Sequence, residues 1–375
     1  MSNSALDSNK QAKYWLQRIH ELDLQQPVRI MNVCGGHERA ITMAGLRSAL
    51  PKAVELIPGP GCPVCICPEE DIYEAIQISL QENVILVAFG DMLRVPVNVH
   101  HGEVRTLDQA KGAGADIRPI ASPQEAIDIA RQHPQTTVVF FAAGFETTMA
   151  PVAAMIAQGA PDNLCLLLSG RLTWPAVAML LESGSPGFDC LVAPGHVATV
   201  MGAEEWTFVV KQYSLPTAVA GFYSESLLAA FYSVLRQKIE QRLFLDNCYP
   251  ELVQQQGNPS ARKQLQQVFN IIDANWRGIG MIPASGYALN DQYAAHDARQ
   301  RYPDYRDMAR KRAGQMPPGC DCAKVVLGKI YPDQCRLYGK ACTPRNPVGP
   351  CMVSDEGACR IWWAGGVRQS RSKIA

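Results

Sequence analysis

Seven times in the first 221 residues a short apolar run ends at, or just before, a glycine: Val28–Val33, Val54–Ile57, Val84–Phe89, Val138–Ala143, Leu164–Leu168, Cys190–Ala193 and Thr217–Ala220. Within these runs apolar residues follow one another instead of alternating with polar ones, as in strands covered by helices on both faces. Helical stretches follow the glycines, so the expected fold class is α/β with parallel sheets. The loop-rich stretch from Val95 to Pro123, with Gly102, Gly112 and Gly114, reads as a crossing between units. Two Rossmann-like parallel-sheet domains are therefore favoured over one large sheet.

At roughly 100–200 residues per domain, 375 residues leave room for a third unit. Ser224 to Leu243 and Ser260 to Ala274 read as helical, and beyond Arg277 the chain turns rich in Gly, Pro and Cys. The expected division is 1–118 for an N-terminal helix and first α/β domain, 119–225 for the second, and 226–375 for a helical segment and a small cysteine-rich module. Such a tail buries little apolar surface by itself, so its cysteines suggest a metal staple.

Charge narrows the partners. The 35 basic and 35 acidic side chains balance, which leaves no basic footprint for nucleic acid or an anionic membrane. The stretch Met1–Asn9 is polar, and no later run reaches the ~18–20 uncharged apolar residues a membrane span requires. The expected setting is the cytoplasm, where thiols stay reduced and cysteines point to metal or redox chemistry.

The 13 cysteines are grouped. Four lie between Cys34 and Cys67 and six between Cys320 and Cys359, while Cys165, Cys190 and Cys248 sit in ordinary contexts and read as packing residues. Cys34-Gly-Gly-His-Glu38 follows a strand directly, where open α/β sheets bind ligands. The glycines permit close backbone approach, and His37 is placed to hydrogen-bond a bound group or favour a Cys34 thiolate. Gly59-Pro-Gly-Cys-Pro-Val-Cys-Ile-Cys67 repeats that placement. Its Cys62-x-x-Cys65 spacing suits a disulfide or a chelate, and a helix starting near Glu69 would lower a thiol pKa.

Gly144-Phe-Glu-Thr-Thr148 ends the most apolar strand. The threonines can cap a helix, and Glu146 is expected to face a cleft. In the tail, six cysteines exceed one tetrahedral zinc, whereas a [4Fe–4S] cluster takes four thiolates and leaves two. In a strand-like Cys320-x-Cys322 the side chains point to opposite faces, which argues against both sulfurs serving one cluster. Two zinc sites sharing ligands are the competing reading.

Taken in order, Cys34–Glu38, Gly59–Cys65, Phe89-Gly-Asp-Met-Leu-Arg-Val-Pro96, Gly144–Thr148, Trp276-Arg-Gly-Ile-Gly-Met-Ile-Pro283 and the Cys342–Ser354 segment resemble the HypD family of hydrogenase maturation factors over nearly the whole chain. The resemblance implies a scaffold on which the iron of a [NiFe]-hydrogenase acquires cyanide and carbon monoxide. It implies HypC as the partner sharing the metal, with HypE and HypF supplying cyanide. Cys34 is similar to the family's iron-binding cysteine, and Cys62 and Cys65 to its redox pair. A [4Fe–4S] cluster would rest on Cys320, Cys335, Cys342 and Cys359, with Cys322 and Cys351 as an accessory dithiol. Cys67 stands where the family motif usually has a hydroxyl residue, so which two of Cys62, Cys65 and Cys67 pair stays open. A thiol–disulfide reductase driven by an iron–sulfur cluster and a zinc-bound interaction protein are the alternatives.

Overall fold

The computed structural model describes residues 3–184, 186–312 and 316–367, so the stretch Met1–Asn9 is described only from Asn3, in the helix Asn3–His20. All seven apolar runs form strands. In chain order the strands are β1 (Val28–Asn32), β2 (Val54–Pro58), β3 (Val84–Phe89), β4 (Asp116–Ile120), β5 (Thr137–Gly144), β6 (Leu164–Gly170), β7 (Cys190–Pro194), β8 (Thr217–Ala220), β9 (Leu245–Cys248), β10 (Phe269–Trp276) and β11 (Gly280–Leu289).

Two parallel sheets result, ordered β2-β1-β7-β8-β9 and β4-β3-β5-β6. Each begins with its second strand outside its first, so each reverses direction beside its first strand, between β1 and β7 in one and β3 and β5 in the other. That reversal opens a crevice at the carboxyl ends of the strands. The fold class is α/β with two parallel-sheet domains and a cysteine-rich C-terminal region.

The linear division at 118 and 225 cuts across these sheets. After β2 the chain leaves the first sheet, builds the whole second sheet from β3 to β6, and returns at β7. The first domain is thus split in sequence, and β3 and β4 belong with β5 and β6. Long-range pairing decides sheet membership, and an apolar run does not reveal its neighbour. Inside the presumed crossing lies β4, an edge strand of mixed exposure carrying Pro119, a residue that sheets tolerate at edges. The helix expected over Ser260–Ala274 ends at Val268. From Phe269 the chain extends into β10, which pairs antiparallel with β11.

The C-terminal region has few regular elements, chiefly the helices Cys322–Val326 and Ala358–Ala364. It is not a free-standing module. Val325, Cys351, Met352 and Ile361 are buried, and the region's cysteines share one apolar core with Ile66, Phe145 and Trp276. Among the described residues no helix is long and apolar enough to cross a membrane.

Candidate functional site

Cys34 leaves β1 at the first sheet's point of reversal and caps the helix Gly35–Met43. The Gly59–Cys65 loop leaves neighbouring β2, and two backbone bonds clamp the loops together: Gly59 N–H donates to Asn32 O (2.8 Å) and Gly35 N–H to Gly61 O (3.1 Å). The glycines are what allow this. A Cβ on Gly61 would lie 2.3 Å from Cys34 Cα, and one on Gly35 would lie 2.5 Å from Glu356 O.

Together these segments enclose a cavity of about 10 Å³ lined by Cys34, Asn32, Glu38, Cys62, Cys65 and Glu356, space for about one water. Cys62 and Cys65 form a disulfide, which settles the pairing left open by the sequence. Cys67 is a free, buried thiol turned away toward Ser169 Oγ at 3.4 Å. Ser169 donates in turn to Asp71 (2.6 Å), which is paired with Arg299 and Arg171. Burial, then Asp71, pushes the Cys67 thiol up to about 12.

Desolvation, then Glu356, pushes the Cys34 thiol up to about 12, against the backbone N–H groups of Gly36 and His37 that favour its thiolate. A cation in the cavity would reverse that balance. His37 acts here through its main chain. Its fully buried ring donates Nε2–H to Ala220 O (2.9 Å) and packs beside Phe222. Burial holds it neutral, down to about 4, so the expected ring contact with a bound group is replaced by a contact with β8.

Glu146 also departs from expectation. It does not line the Cys34 cavity but is wholly buried, accepting from Thr173 N–H (2.6 Å) and Thr173 Oγ1–H (2.7 Å) at the start of the helix Thr173–Glu182. It ties two helix starts together, while burial raises its carboxyl pKa. From the same motif Thr148 lines a larger crevice of about 670 Å³ at the second sheet's reversal, together with Gly90, Asp91 and Glu356. Glu356 borders both cavities.

Three further motifs hold this arrangement. Arg277 is fully buried, paired with Glu69 and donating to Pro96 O, and its N–H bonds Ile66 O behind the disulfide loop. Arg94 reaches Pro344 O (2.9 Å), and Asp91 accepts from Asp355 N–H, fastening the C-terminal region. Glu38 receives Trp362 Nε1–H (2.6 Å) and pairs with Arg47 (2.7 Å), whose guanidinium lies over the Trp362 ring.

The six tail cysteines converge as free thiols. Cys322 begins a helix, and the preceding Asp321 is not extended (φ −103°, ψ 24°). The Cys320 and Cys322 sulfurs are consequently 3.4 Å apart on the same side, not on opposite faces. Cys342 interacts with Cys320, Cys335 and Cys359, while Cys322, Cys351 and Cys359 exchange hydrogen bonds. The Cys342 sulfur accepts N–H bonds from Val348 (3.4 Å) and Gly349. A Cβ on Gly349 would stand 2.4 Å from the Cys320 sulfur and 2.6 Å from that of Cys322. Clustered sulfurs, backbone N–H donors and a glycine cradle are the donor chemistry of an iron–sulfur site. Among the described residues no group of three or more His, Cys, Asp or Glu side chains is arranged to hold a metal ion.

Sequence reasoning missed Asn32 and Glu356. Asn32 left one trace, a polar residue inside an apolar run. Glu356 left none, because the fold brings it more than 300 residues back to Cys34.

The HypD family model, described as hydrogenase formation hypA family, matches residues 10–366. The hydrogenase maturation factor HypD2 of Bradyrhizobium diazoefficiens is 38% identical over 356 residues, covering 92% of this chain and 91% of that protein. Hydrogenase maturation factors HypD of Rhodobacter capsulatus and Escherichia coli are each 38% identical, over 349 and 345 residues, covering 92% and 90% of this chain and 91% and 89% of those proteins.

Proposed function

The chain belongs to the HypD family, and from that premise we propose that it is a [NiFe]-hydrogenase maturation factor, the scaffold on which iron acquires its cyanide and carbon monoxide ligands. The observation that carries this reading is the meeting of Cys34 with the Cys62–Cys65 disulfide in one cavity at a sheet reversal. Iron, the cargo, takes Cys34 as a soft thiolate ligand. A cysteine of a HypC partner supplies the second thiolate, so the ligand shell is completed across an interface and partner departure loosens it. HypE and HypF deliver the cyanide.

The cavity as folded is too small for the finished cargo, so loading requires the 354–358 strap to lift from Cys34. Reduction of the disulfide takes two electrons and two protons and leaves two thiols lining the cavity. Cys320, Cys335, Cys342 and Cys359 would hold a [4Fe–4S] cluster, with Cys322 and Cys351 as the accessory dithiol beside it. Bound there, a cluster supplies single electrons. This chain contributes the shared core that packs the Cys351 turn against the Cys62–Cys65 segment.

A complementation test separates this reading from a general disulfide reductase. Cys34→Ala in a host lacking its own HypD should abolish hydrogenase activity, and the purified wild type should not reduce a generic protein disulfide. Restored hydrogenase activity in Cys34→Ala, or efficient turnover of the generic disulfide, would refute it.

A further inference from the structure

Asn32 is 1% exposed and is one of the residues that line the Cys34 cavity. The amide nitrogen donates to Glu38 Oε2 (3.2 Å) and to Ile57 O (3.0 Å). Both partners are acceptors, a carboxylate held by Arg47 and a main-chain carbonyl, so the amide cannot be turned over without opposing oxygen to oxygen. The orientation is thereby fixed, and Asn32 Oδ1 is left buried with no hydrogen-bond partner. A buried acceptor without a donor is costly, and in a native structure it calls for a water, an ion or a functional partner.

The chemistry of that ligand follows from what an amide oxygen can use. Metal-bound cyanide presents a nitrogen lone pair and metal-bound carbon monoxide an oxygen, so neither can donate to Asn32. Water on a metal ion donates strongly, because the cation polarises its O–H bonds. As folded the cavity, at about 10 Å³, holds about one water, so iron and its water enter together only when the 354–358 strap lifts.

We propose that Asn32 is a positioning residue for incoming cargo: it accepts a hydrogen bond from water on a hydrated iron(II) ion at Cys34, so that the site takes iron first in its aqua form, before diatomic ligands replace the water. The inference rests on the assignment of Cys34 as the iron ligand. It adds the identity of the species the site first recognises, and it makes the Asn32 to Glu38 contact the element that aims the acceptor.

The test is an anaerobic titration of the reduced full-length chain with ferrous iron alone, comparing wild type, Asn32→Leu and Cys34→Ala. Asn32→Leu, similar in size and without an acceptor, should bind iron about ten-fold more weakly, which corresponds to ~1.4 kcal/mol. A second readout uses wild type only, and so does not depend on any variant folding. In D2O, pulsed electron paramagnetic resonance of the nitric oxide adduct of the bound iron should show an exchangeable deuteron. Wild-type affinity in Asn32→Leu together with loss of iron in Cys34→Ala overturns the role of Asn32 alone. So does absence of the deuteron coupling in wild type. Wild-type affinity in Cys34→Ala overturns the iron assignment and the inference with it.

Discussion

Replacing Gly61 by Ala tests how the site is built. The added Cβ would stand 2.3 Å from Cys34 Cα, 2.4 Å from Cys34 N and 2.7 Å from Val33 C, where carbon contacts settle near ~3.5–4.0 Å. All three atoms are main chain at the end of a central strand, so no side chain can swing aside. The disulfide loop must retreat by roughly 1 Å, which strains or breaks the Gly35 to Gly61 hydrogen bond. Overpacking costs ~1–3 kcal/mol and the bond ~1 kcal/mol, so a destabilisation of about 2–4 kcal/mol is expected. The assay is denaturant unfolding of the metal-free chain, with Gly112→Ala as control. Gly112 ends a helix with nothing within 4 Å of its added Cβ, and Ala there should be neutral or stabilising by up to ~1 kcal/mol. A Gly61→Ala midpoint matching wild type would refute the close clamp between the loops.

Other expectations concern the wider framework. Thiol titration of the denatured, metal-free and oxidised chain should find eleven free cysteines, rising to the full 13 after reduction; thirteen before reduction would deny the Cys62–Cys65 bond. Trp362→Phe keeps an aromatic face for Arg47 but loses the N–H bond to the buried Glu38 carboxylate. It should cost ~1.5–3 kcal/mol, read as a lower denaturant midpoint; no shift would leave Glu38 without this anchor. Burial raises the Glu146 carboxyl pKa, so above the ordinary carboxylate range the folded chain keeps a proton that the unfolded chain has released. Stability from this group is full at low pH and falls as pH rises toward neutrality. Glu146→Gln should flatten that fall in denaturant midpoints taken from pH 5 to 8, and an unchanged slope would contradict the assignment.

Much of this architecture was legible where local sequence decides it. The seven apolar runs are buried on both faces, and that burial writes itself as continuous hydrophobicity. The edge strands β4 and β9 were not legible, because half-exposed strands such as Asp116–Ile120 carry mixed residues. Neither was the return of the chain to its first sheet at β7, which depends on pairing across more than 130 residues. Cys34, Cys62 and Cys65 could be found because thiols after strands are rare and meaningful. The side-chain contacts expected of His37 and Glu146 are replaced for a shared reason. Both sit beside the right backbone turn, but side-chain direction is set by partners elsewhere, Ala220 for the imidazole and Thr173 for the carboxylate. The Cys320–Cys322 reading failed because a helix starts at Cys322, which an extended reading of Cys-x-Cys cannot anticipate.

The central claim is that Cys34 carries the iron cargo, and infrared spectroscopy tests it most directly, since cyanide and carbon monoxide stretches fall where protein does not absorb. The chain should be co-purified anaerobically with HypC, the proposed partner, from cells able to supply both ligands. Wild type is predicted to show cyanide and carbon monoxide bands, and Cys34→Ala to lose them while keeping the visible absorption of the cluster proposed for the tail. Bands of wild-type intensity in Cys34→Ala would contradict the claim.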